Sequence, residues 1–75
     1  MTAVEVVFTY GMRPLEPVMR GIDSLREVYW IRKIRFNETE RTIHVEYDAT
    51  RLNEDTVANL LRRTGLDLTG KLALV

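Results

Sequence analysis

Apolar and polar positions divide the chain into six segments. From Val4 to Tyr10, Val4, Val6, Phe8 and Tyr10 alternate with Glu5, Val7 and Thr9, the two-residue period of a strand. Val7 interrupts the polar series, so the pattern alone does not say which face is buried. Gly11 breaks the strand. From Pro14 to Val28, Leu15, Val18, Ile22, Leu25 and Val28 recur at steps of three and four, the single stripe of a helix. Pro14 and Pro17 fit its first turn, where N–H groups have no partner one turn back. Gly21 lies inside this helix, at a cost of about 1 kcal/mol against alanine, or it admits another backbone.

A second strand runs from Ile31 to Phe36. The polar stretch 37–41 reads as a hairpin turn, and Thr42 to Tyr47 as a third strand with Ile43, Val45 and Tyr47 on one face and His44 and Glu46 on the other. Asn53 is a good helix cap, followed by Glu54 and Asp55 in the first turn. Val57, Leu60 and Leu61 form the stripe of this second helix, Arg62 and Arg63 its last turn, and Gly65 its stop. Lys71 to Val75 reads as a final short strand. The order is βαββαβ. Right-handed crossovers put both helices on one face of the sheet. The expected fold is an α+β, ferredoxin-like sandwich, a single domain over 1–75 with antiparallel sheet order 4-1-3-2.

With 75 residues the chain has room for one small core. Its 45% apolar content suits a globular domain. Eleven basic and eleven acidic residues cancel, which argues against a general phosphate-binding surface but leaves room for a local patch. The absence of cysteine excludes a disulfide framework and a thiolate zinc site. The N-terminal stretch lacks a basic region followed by an apolar one, and no apolar run reaches the roughly 20 residues that span a bilayer. The expected location is the cytoplasm, without membrane contact.

These residues resemble the heavy-metal-associated domain family of copper chaperones, mercury-binding proteins and N-terminal domains of metal-pumping ATPases. The family opens with Gly-Met-x-Cys-x-x-Cys between the first strand and first helix. Gly11 and Met12 match it, while Pro14 and Pro17 stand where the cysteines belong, and Val18 matches the apolar residue that follows. The likeness continues through Leu25, Val28, Ile31, Ile34, Phe36 and Asn37, through Val45, Tyr47 and Asp48, and through Asn53 and Gly65. Position 66, near the family's metal loop, often holds tyrosine in bacterial members or lysine in eukaryotic chaperones; here it is Leu66. The resemblance implies the fold, but its metal ligands are thiolates and proline supplies no donor. In the family the methionine matched by Met12 packs beneath the loop. Prolines at both ligand positions also stiffen a loop that metal transfer needs mobile, whereas a docking surface gains from that stiffness.

The candidate interaction residues are therefore the loop Gly11, Met12, Arg13, Pro14 and Pro17, with Leu66 beside it, and the aromatic corner Tyr29 and Trp30, since large aromatics are favoured where proteins bind. The competing reading of Trp30 is a cap on the end of the core. A soft metal site from Met12, Met19 and His44 is the alternative, because thioether and imidazole suit Cu(I). Against it, Met12 reads as core, Met19 as an ordinary helix residue and His44 as a residue of the open sheet face, far from the loop. Arg32, Lys33, Arg35 and Arg41 read as charges guarding a sheet edge rather than as a nucleic-acid surface, since the third strand lacks aromatics for stacking bases. The last strand reads as completing the core, with a second copy of the chain as a partner through its edge. No nucleophile–base spacing is visible, so no enzyme activity is expected.

The sequence thus predicts a non-catalytic interaction module without a thiolate site or bound cofactor. Its expected partner is a protein, a metal-transport ATPase or a second copy of itself. Soft-metal binding or trafficking, with weak Cu(I) binding through Met and His, is the alternative function.

Overall fold

The computed structural model describes residues 2–28 and 30–74. The elements are β1 (Ala3–Tyr10), α1 (Glu16–Val28), β2 (Ile31–Asn37), β3 (Thr42–Asp48), α2 (Glu54–Arg63) and β4 (Leu68–Leu74). All pairings are antiparallel, in the order β2-β3-β1-β4. This is the expected order read from the opposite edge, and the βαββαβ fold is the ferredoxin-like one.

The core lies between the sheet and the helices. Val6, Phe8 and Tyr10 of β1, Ile43, Val45 and Tyr47 of β3, Ile22 and Leu25 of α1, and Val57, Leu60 and Leu61 of α2 are all buried. Each such side chain contributes about 1.5–3 kcal/mol by leaving water. Val7, the ambiguous position, is buried on the other face, between His44 and Ala73 in the register of its neighbouring strands. A central strand is shielded laterally even where no helix covers it.

Two elements start more than one residue away from the sequence expectation. α1 begins at Glu16, so Pro14 and Leu15 precede it and Pro17 alone sits in the first turn. Leu15 caps the helix only through its backbone, accepting the Met19 N–H at 3.0 Å. Its side chain is exposed rather than on the buried stripe, which starts at Val18. Proline disfavours helical geometry in the residue before it, which keeps Arg13 out of the helix. β4 starts at Leu68, three residues early, because the Gly65 stop lets the chain turn straight into pairing with Tyr10. Leu72 falls at a register shift between the pairs Val7–Ala73 and Phe8–Lys71 and is exposed, so it does not complete the core.

A second register shift serves the core. Ile31 and Ile34 are three residues apart, which in a regular strand would put them on opposite faces. The shift between Ile31 and Lys33 inserts Arg32 as an extra residue, and both isoleucines are buried.

Local hydrogen bonds fix the turns. Asn53 Oδ1 accepts the Thr56 N–H at 2.8 Å, capping α2 as expected. Gly65 has φ +100°, the left-handed conformation that ends a helix. Arg41 closes the β2–β3 turn at φ 53°, which costs an L-residue about 1–2 kcal/mol. Its Nη1 donates to the Gly11 carbonyl at 2.9 Å, tying the turn to the β1–α1 loop.

Candidate functional site

The β1–α1 loop lies beside the turn that follows α2. The Gly11 N–H donates to the Asp67 carbonyl at 3.0 Å, so one peptide group clamps the loop to the start of β4. Between them is a cavity of about 120 Å³, lined mainly by Met12, Pro14, Leu15, Val18 and Leu66, with Arg13 and Asp67 supplying charge. The structure thus gathers Gly11, Met12, Arg13, Pro14 and Leu66 at one end of the molecule. Pro17, in the first turn of α1, is exposed and does not line the cavity.

Met12 is not core. It is 71% exposed, and so is Leu15. Leu66, at 3% exposed, fills the space beneath the loop instead. A leucine with no hydroxyl or ammonium to keep in water can turn fully inward there, and the thioether is left at the surface.

The alternative metal ligands are spread out. Met19 is half-buried on α1 and His44 stands opposite Val7 in mid-sheet; neither lines the cavity that holds Met12. His44 faces Glu5, with Nδ1 3.5 Å from Oε1, and that nitrogen lacks the alignment for a hydrogen bond. Among the described residues no group of three or more His, Asp or Glu side chains could hold a metal ion.

Trp30 is 53% exposed, so it does not cap the core. Arg51 lies over its ring, 4.2 Å from the centroid, and Arg51 Nε is 3.6 Å from Asp48 Oδ2. The other Asp48 oxygen accepts from the Thr50 hydroxyl at 2.6 Å and the Thr50 N–H at 3.0 Å. Those bonds, the hydroxyl first, hold the Asp48 carboxyl below the usual carboxylate range. Tyr29 lies outside the described residues. The basic residues of the β2 edge are divided: Arg32 pairs with Glu46 at 3.5 Å, Arg35 with Glu5 at 3.0 Å, and Arg41 turns to the loop. Sequence reading missed the Trp30–Arg51 stack. The Asp48-Ala-Thr50 spacing signals the turn that brings Arg51 round, since aspartate readily bonds the backbone two residues on.

A yeast copper transporter domain, Ccc2A, solved in solution in the apo and Cu(I)-loaded states, matches with a TM-score of 0.71. The chain shares that domain's fold. The match covers 93% of this chain and 96% of that one at 18% sequence identity. No protein-family model matches the chain, and no curated protein sequence matches it. The shared fold thus extends over the whole architecture, while the cavity beside the loop is lined by Pro14 and the buried Leu66 in a chain without cysteine. No helix among the described residues is long and apolar enough to cross a membrane.

Proposed function

We propose that this domain is a non-catalytic, heavy-metal-associated-like module that has lost the thiolate site and works by protein contact, in connection with metal transport. The observation that carries this is the pair Met12 and Leu15, each 71% exposed beside an apolar cavity in a loop stiffened by Pro14. Exposed apolar groups around a shaped depression are what a partner buries. The fold shared with a copper transporter domain supports the link to metal transport. The partner is a metal-transport ATPase or a second copy of this chain.

The exposed Met12 thioether favours one second reading, weak Cu(I) binding through sulfur. A heteronuclear NMR titration with Cu(I), then Zn(II), under reducing conditions separates the two. The contact module shows no shifts and no metal-dependent gain in thermal stability. Saturable shifts confined to residues 11–19 and 66 would put the metal reading ahead. Sedimentation and binding to a metal-transport ATPase domain then test contact directly, with Met12→Asp and Leu15→Asp expected to abolish it.

A further inference from the structure

A second cavity, of about 190 Å³, lies on the other side of the loop and is lined by Tyr10, Arg13, Glu38 and Arg41. We propose that it is an oxyanion site for the phosphate class, formed where the β1–α1 loop meets the β2–β3 turn. The proposal does not depend on the function proposed above.

Three observations converge on it. The first is unspent positive charge. Among the described residues Arg13 and Arg41 join no ion pair, as Arg26, Lys33, Arg62 and Arg63 do not, but Arg13 and Arg41 line one cavity together. Two guanidiniums less one Glu38 carboxylate leave the lining with a net positive charge. A guanidinium has five N–H donors and no acceptor. Arg41 uses one on the Gly11 carbonyl, and among the described residues no acceptor takes those of Arg13.

The second is preorganisation. The Arg41 backbone is held in the left-handed region at φ 53°, its carbonyl accepts the Tyr10 N–H at 3.0 Å, and its side chain is fixed to Gly11. Glycine or asparagine would close this turn with less strain. Arginine there places a cation at the cavity with little freedom left to lose, and an off-region residue of this kind is a reasonable pointer to function. Arginine's planar fork matches phosphate oxygens two at a time.

The third is size. Clefts for cofactor-sized ligands run from about 300 to 1,000 Å³. This one is smaller, suited to a single phosphate group with its first contacts rather than to a nucleotide.

The test is an NMR titration of the intact chain with inorganic phosphate, at ionic strength held constant with chloride. Expected are saturable shifts confined to residues 10–13 and 38–42. Arg13→Gln weakens binding at least about tenfold, the worth of one charge-assisted hydrogen bond. Arg41→Gly does the same while suiting the left-handed backbone, so the turn survives the loss of the guanidinium. Glu38→Gln tightens binding by removing the opposing charge. Glycerol phosphate identifies the source: binding as tight as phosphate means a small phosphomonoester, weaker binding means the free anion. Shifts spread equally over Arg20, Arg62 and Arg63, no saturation, affinity indifferent to Arg13→Gln in the folded protein, or acetate binding as tightly as phosphate would each overturn the assignment.

Discussion

Glu5 on β1 and His44 on β3 confront each other across the open side of the sheet, Oε1 and Nδ1 3.5 Å apart, while the second Glu5 oxygen accepts from Arg35 of β2 at 3.0 Å. One carboxylate therefore links three strands. The Arg35 hydrogen bond, first, and the His44 contact hold the Glu5 carboxyl below its ordinary value. A depressed carboxyl stabilises the fold above its unfolded value, near 4.5, and that contribution is lost as pH falls through the lower folded value. In urea titrations at several pH values, wild type should lead Glu5→Gln at neutral pH and the lead should shrink below about pH 4.5. A lead that stays constant into acid would deny the linkage.

The alkaline side has the opposite sign. Lys71 Nζ lies 2.8 Å from Glu54 Oε1, and that hydrogen bond raises the lysine above its usual 10.5. A raised cation stabilises below its unfolded value and loses that contribution as pH climbs through the folded one. Wild type should therefore exceed Lys71→Met in urea midpoint at neutral pH and converge with it in strong alkali. Equal midpoints throughout would mean the pair is broken in solution.

Arg51 over the Trp30 ring should be visible by fluorescence, since the chain has one tryptophan. Arg51→Ala should shift its emission and cost about 0.5–1 kcal/mol, the value of a cation–π contact at an exposed site. Unchanged emission would show that the stack does not persist in solution.

Gly21 offers a double-mutant test. Alanine there gains up to about 1 kcal/mol of helix propensity, but its Cβ would stand 3.1 Å from Thr64 Cβ and 3.2 Å from its Cγ2. Gly21→Ala should give no gain in wild type and a better result in Thr64→Ser, which removes the methyl and keeps the hydroxyl that donates to the Leu61 carbonyl. A simple gain in wild type would mean that α1 and the end of α2 are less closely packed than described.

The fold was legible because its signals are local: alternation in β1 and β3, the stripe of α2, the Asn53 cap and the Gly65 stop. What escaped reading depended on neighbours. Ile31 and Ile34 share a face only because Arg32 is inserted, and a shifted register leaves no mark in a period of two. Met12 and Leu15 count as apolar in any pattern, yet both are exposed because Leu66 already occupies the space beneath the loop. Nor does a turn reading Asn-Glu-Thr-Glu-Arg announce a left-handed arginine, since the usual glycine or asparagine is absent from that place. The proline loop could be named as a candidate from sequence, but the second cavity could not, because Arg13 and Arg41 come to line it only through the fold.

The pairing of β1 with β4 has a consequence for the order of events in folding. Thr9 and Thr69 are joined hydroxyl to hydroxyl at 2.7 Å across sixty positions of sequence, and Val6 pairs with Leu74. Until β4 has left the ribosome, β1 has a partner on one side alone and its carbonyls and amides on the other must be met by water. The β2–β3 hairpin can assemble early, since its strands are adjacent in sequence. Closure of the sheet must wait for the longest loop in the molecule to find its ends, a step whose entropic cost comes before its reward. Nascent chains should therefore resist protease in a single late step, when β4 arrives, rather than by gradual accretion.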